Sequence, residues 1–318
     1  MTDANTEEAR PDRRAKTTRH SRKLGRGLSQ VSHVFLSGAT REKTGTTAGI
    51  DDAADIRFWL PDARLISITS GAGVCGKSMV AANIGFGLYE RGRKVAFVDA
   101  DSDSPGIMVI TGSVLAEAGH RLMKTNEAFG NIVMVGTGAR AEASAEEGSG
   151  STAAAGHIEE AARQARTVLV DTSPRAESSL TVWQLARLIL VITEPATESM
   201  QASYATIKRI RSASRRARIG VIVNKAKDHD EAEQCFRKIS NVSRRFLKIN
   251  IRNCGFIVHS DDVREACERA VPLSRAFPGS RAARCMNSIL ALIVMDESAI
   301  ARRRREVTVE ACASRGGQ

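Results

Sequence analysis

The chain has 318 residues, 42% of them apolar, enough for one large α/β domain with tails or for two small domains. No apolar run reaches the roughly 18 residues that a spanning helix requires, and the charged N-terminus lacks the apolar stretch of a secretion signal, so a cytoplasmic protein is expected. The net charge of +11 excludes an acidic, solvating chain and points to an anionic partner or to solvated basic tails.

Residues 1–59 carry no sustained apolar period and predict a disordered basic extension; the first fifty hold ten Lys/Arg against five Asp/Glu. Short β-branched runs then recur as predicted strands at Leu65–Thr69, Lys94–Asp99, Ile132–Val135, Val168–Asp171, Leu188–Thr193, Ile219–Asn224 and Gly255–Val258. Helical patterns fall between most of them, at Ser78–Arg91, Glu159–Ala165, Leu180–Arg187, Met200–Ser214 and Glu231–Phe246. Residues 141–156 are low in complexity and predict a mobile loop. Residues 281–295, apolar nearly all round from Ile289 onward, predict a buried helix, and residues 299–318 with the block Arg302–Arg305 predict a basic tail. Alternating strands and helices imply one α/β domain over residues 60–298, a mainly parallel sheet of about seven strands with helices on both faces.

The segment Gly71-Ala72-Gly73-Val74-Cys75-Gly76-Lys77-Ser78 fits the phosphate-binding pattern G-x-x-x-x-G-K-[ST], with a predicted strand before it and a helix after it. Glycines let backbone N–H groups close around phosphate oxygens, and the helix N-terminus adds a favourable dipole. In that arrangement Lys77 meets the β- and γ-phosphates and the Ser78 hydroxyl ligates Mg²⁺. Two predicted strands end in carboxylates, Asp99-Ala100-Asp101 and Asp171. Ligands of open α/β sheets bind at the carboxyl ends of the strands, so these acids can face a metal ion and an attacking water, although such acids also serve as helix caps. The cysteines at 75, 235, 254, 267, 285 and 312 form no C-x-x-C pair and read as reduced.

The stretch ISITSGAGVCGKSMVAANIGFGLYERGRKVAFVDADSD resembles the opening of MinD/ParA-family ATPases, P-loop NTPases whose loop is followed by a D-x-D strand end. VDTSPR (170–175), LILVITEPATESMQASYATIKRI (188–210), VIVNKAK (221–227) and GFIVHSDDVREA (255–266) are most similar to the flagellar-number regulators of the FlhG, or YlxH, subgroup. The resemblance implies ATP and Mg²⁺ as ligands, with Gly71 to Ser78 and Met79 around the phosphates and Asn224 at the adenine. It implies Ser78, Asp99 and Asp171 at the metal, and Lys77 and Asp101 as the catalytic pair, Asp101 orienting the water.

The chain departs from the family pattern where a signature lysine, which reaches across an ATP-bound dimer to the partner's phosphates, is replaced by Ala72; the proline common in the family after GYI is Val258 here. Slow hydrolysis and weak ATP-driven dimerisation are therefore expected. The leading expectation is an ATP-dependent switch that regulates the placement, number or assembly of a structure such as the flagellum, together with a regulatory protein partner. The alternatives are a nucleotide-binding scaffold with little hydrolysis and a partition-type protein that binds DNA nonspecifically. The basic tails are candidates for weak contact with DNA or with the inner face of an anionic membrane.

Overall fold

The structure, a computed structural model, describes residues 64–71, 75–100, 106–115, 122–125, 127–130, 132–136 and 150–295. The expected extension 1–59 and tail 299–318 lie outside the described residues, as do Ala72, Gly73, Val74 and Asp101.

Nine strands form one sheet in the order β3-β4-β5-β2-β6-β1-β7-β8-β9. They are β1 (Arg64–Ser70), β2 (Val95–Ala100), β3 (Val114–Leu115), β4 (Leu122–Lys124), β5 (Val133–Gly136), β6 (Thr167–Thr172), β7 (Leu188–Thr193), β8 (Arg218–Ala226) and β9 (Arg252–Val258). The seven from β5 to β9 in that order are parallel to their neighbours and match the seven expected strands. The other two extend the β5 edge in antiparallel fashion and were not expected, because two and three residues are too short to show a period.

The α-helices among the described residues are α1 (Lys77–Tyr89), α2 (Gly106–Ile110), α3 (Gly150–Gln164), α4 (Ser178–Leu185), α5 (Thr197–Ala213), α6 (His229–Val242), α7 (Asp261–Glu268), α8 (Leu273–Ala276) and α9 (residues 281–295). Side chains of a strand alternate between the two faces, and each face has its own core. Ile66, Ile68, Phe97, Leu169, Leu190 and Ile222 pack with residues of α1 and α9. Leu65, Val98, Val168, Val170, Val191 and Val221 pack with residues of α3 to α6. Strands buried on both faces explain the near-continuous apolar runs of β6 and β7.

Two expectations are corrected. Helix α3 begins at Gly150, inside the low-complexity segment expected to be a loop, while 137–149 lie outside the described residues. Ala154, Ala155, Ile158 and Ala161 are buried at helical spacing, so the alanines that lowered the complexity form the packing face. The second correction concerns α9. It buries Ala282, Ala283, Met286, Ile289, Leu290 and Ile293, one stripe along a surface helix, while Leu292 and Met295 remain 45% and 68% exposed.

Candidate functional site

The loop between β1 and α1 is built where close backbone approach leaves no room for side chains. A Cβ on Gly71 would lie 2.1 Å from the backbone nitrogen of Ser203, so α5 abuts the loop directly. Gly76 has a φ of 77°, in the left-handed region that glycine adopts without strain, and a Cβ there would come within 2.5 Å of the Asn224 amide. Gly76 is also the N-cap of α1, with no side-chain cap and no acidic residue in the first turn. A helix start whose N-cap supplies no side-chain acceptor, and whose first turn carries no acid, suits an anion.

The side chains that follow converge on one carboxylate. Lys77 Nζ, 6% exposed, donates to Asp171 Oδ1, and Ser78 Oγ donates to Asp171 Oδ2 at 2.6 Å. Asp171 is fully buried near the end of β6 and is the register partner of Asp99 on β2, itself 2% exposed. Two buried carboxylates side by side favour a nearby cation. Magnesium usually takes one or two carboxylates and completes its shell with phosphate and water. Ser78, Asp99 and Asp171 have the chemistry for that role, and Lys77 with the α1 N-terminus has the chemistry for phosphate. The residues present therefore fit a magnesium nucleotide.

Hydroxyls beneath the loop hold the strand ends together. Ser67 Oγ and Thr172 Oγ1 lie 3.2 Å apart, Thr172 Oγ1 donates to the Ile68 carbonyl at 3.2 Å, and Thr69 Oγ1 donates to the Thr172 carbonyl at 3.3 Å. Cys75, 1% exposed, directs its thiol to the Ile192 carbonyl at 3.6 Å. Burial raises the Cys75 pKa, partly offset by a hydrogen bond with Ser70. Asn224 is 3% exposed and donates from Nδ2 to the Cys75 carbonyl at 2.8 Å, so its amide braces the loop from β8. Met79 is 5% exposed and packs in the core beneath α1.

The structure thus brings Gly71, Cys75, Gly76, Lys77, Ser78, Asp99, Asp171 and Asn224 to one edge of the sheet. Asp101, Ala72, Gly73 and Val74 lie outside the described residues. Sequence reasoning missed the hydroxyl ladder of Ser67, Thr69 and Thr172. Small polar residues inside β-branched runs were the available signal.

Residues 66–273 match the profile of the CobQ/CobB/MinD/ParA nucleotide binding domain. The chain belongs to that family. Within it, the antiactivator FleN of Pseudomonas aeruginosa is 23% identical over 236 residues, covering 71% of this chain and 84% of FleN. The flagellum site-determining protein YlxH of Helicobacter pylori is 45% identical over 49 residues, 15% of this chain and 17% of YlxH. Among solved structures, MinD of Pyrococcus horikoshii complexed with Mg-ADP superposes with a TM-score of 0.56 at 18% identity, covering 73% of this chain and 96% of MinD. At that identity the likeness is one of fold. The chain is an FlhG-like member of the MinD/ParA group, and its P-loop lies at the end of the sheet where open α/β folds bind ligands.

Proposed function

We propose that this protein binds ATP with Mg²⁺ at Gly71–Ser78 and acts as a slow, nucleotide-dependent switch in the number or placement of flagella. The observation that carries the reading is the meeting of Lys77 and Ser78 on Asp171, at the uncapped N-terminus of α1. The likeness to FleN and YlxH supports the flagellar part. Lys77 and the helix N-terminus hold the phosphates, and Ser78 with Asp171 and Asp99 holds the metal, which neutralises charge on the triphosphate. Asp101 orients the hydrolytic water. ATP favours one conformation or a homodimer, a regulatory protein partner reads that state, and hydrolysis ends it. Replacement of the signature lysine by Ala72 makes the turnover slow.

Titration with ATP in the presence and absence of Mg²⁺ tests the site. Magnesium is expected to strengthen binding to the wild type, and Asp171→Ala is expected to abolish that gain. Equal magnesium dependence in both proteins would rule out the proposed metal role.

A second reading, a partition-type contact with DNA, has an observation of its own. Residues 208–218 carry six cations and 244–252 carry four, while 199–227 and 234–260 contain no Asp or Glu. At the starts of β8 and β9, away from the P-loop, a cavity of about 320 Å³ is lined by Arg211, Arg218 and Arg252 among others. Arg252→Glu is expected to weaken binding to random-sequence DNA and to flatten its salt dependence. Binding that is undetectable at low salt removes this reading.

A further inference from the structure

If the proposed nucleotide is bound, its site is short of positive charge. A magnesium-bound triphosphate is still anionic, and Asp99 and Asp171 add two buried carboxylates, against Lys77 as the one buried cation among the described residues. Lys77 is itself engaged with Asp171. In a poorly solvated site such an imbalance weakens binding of the γ-phosphate and leaves charge that develops on it unanswered.

The other cations along this edge differ in how they are held. Lys225, after β7 and on β8, pairs with Glu194 at 2.7 Å. Arg209 of α5 donates to the Pro174 carbonyl and sits 5.9 Å from the centre of the Trp183 ring. Lys227 follows β8, which is separated from β1 by β7. Arg175 is different. It lies in the turn that leaves β6, the strand that pairs with β1 and carries Asp171. It is exposed, and its guanidinium has no hydrogen-bond or ion-pair partner among the described residues.

The turn that carries it is anchored. Ser179 Oγ donates to the Ser173 carbonyl at 2.5 Å, Arg209 holds the Pro174 carbonyl, and the Arg175 N–H donates to Ser173 Oγ at 3.5 Å. Thr69 Oγ1 ties the same strand end to β1 by the Thr172 carbonyl. Arg175 is four positions from Asp171, on the order of 14 Å if fully extended and less through this turn. Arg175 thus stands on an anchored turn close in sequence to Asp171, the carboxylate on which Lys77 and Ser78 meet.

We propose that Arg175 is the γ-phosphate-binding cation of this site, supplying in the same chain the positive charge that Lys77 alone does not. The inference rests on the nucleotide reading above. Its chemistry is that of a planar, always-charged donor placed on phosphoryl oxygens. An arginine in that position distinguishes ATP from ADP, because the contact exists only while the γ-phosphate does.

The test is equilibrium titration of the full chain with ADP and with a non-hydrolysable ATP analogue, both with Mg²⁺. Arg175→Ala is expected to leave ADP affinity within about twofold of wild type and to weaken the analogue roughly tenfold, with Arg175→Lys intermediate. In the Arg175→Ala background, Ala72→Lys is expected to restore part of the preference for the analogue. A wild-type preference for the analogue that survives Arg175→Ala overturns the inference while leaving the nucleotide site standing. Wild type that binds neither nucleotide overturns the site reading, and the inference with it. Thermal melts of the unliganded variants check folding, which an exposed turn residue is expected not to disturb.

Discussion

Lys77 and Ser78 illustrate how neighbouring positions acquire one function through a distant third. Their order in the chain is set by the loop pattern, but their partner Asp171 is 94 and 93 positions away and is delivered by the pairing of β1 with β6. The motif made these three legible as candidates, because each residue type has a fixed chemistry at a strand end or helix start. Asn224 was legible only through resemblance, as an adenine contact, and the structure places its amide on the Cys75 carbonyl under the loop. Arg175 could not be singled out at all, since an exposed arginine in a polar turn looks like any solvated charge. Buried thiols give a prediction at this scale. Burial pushes the Cys235 thiol up to about 12 from 9.0. Between those values the unfolded chain has lost the proton that the folded one keeps, so stability falls as pH rises, by about 1.4 kcal/mol per pH unit for one such thiol. Cys235→Ala is expected to show a shallower decline between pH 9 and 11 in denaturant titrations than the wild type. An unchanged slope would contradict the assignment of that decline to Cys235.

Strands were easier to read than helices, for a physical reason. Seven parallel strands buried on both faces need nearly unbroken β-branched runs, which few other elements produce, whereas the antiparallel pair β3 and β4 is too short to leave a pattern. Helix α3 was half hidden because a packing face made of alanine looks like low complexity. Helix α9 misled in the opposite direction, since Leu292 and Met295 on its outer face made a one-sided helix look apolar throughout. Its inner stripe nevertheless belongs to the same core as α1. A Cβ on Gly87 would come within 2.2 Å of Leu290 Cδ1, so Leu290 occupies the space that this glycine leaves. Leu290→Ala is expected to destabilise the protein by about 2–5 kcal/mol, measured by urea unfolding, while Leu292→Ala changes it by less than about 0.5 kcal/mol. Equal effects at the two positions would contradict the one-sided packing of α9.

At the scale of the whole molecule, the sheet order puts β1 at the centre of the parallel strands, with β6 on one side and β7 on the other. The P-loop therefore emerges between strand ends that bring Asp171 and Asp99 from one flank and Cys75's acceptor Ile192 from the other. No helix among the described residues is long and apolar enough to cross a membrane. The arginine-lined cavity lies at the opposite strand ends, which separates a polyanion contact from the nucleotide edge. The proposed switch presupposes that the loop binds nucleotide, and one titration addresses that directly. With Mg²⁺ and ATP, the wild type is expected to bind saturably and Lys77→Ala to lose affinity at least tenfold, with its far-UV spectrum unchanged. Wild-type affinity in folded Lys77→Ala, or no saturable binding by the wild type, would contradict the account.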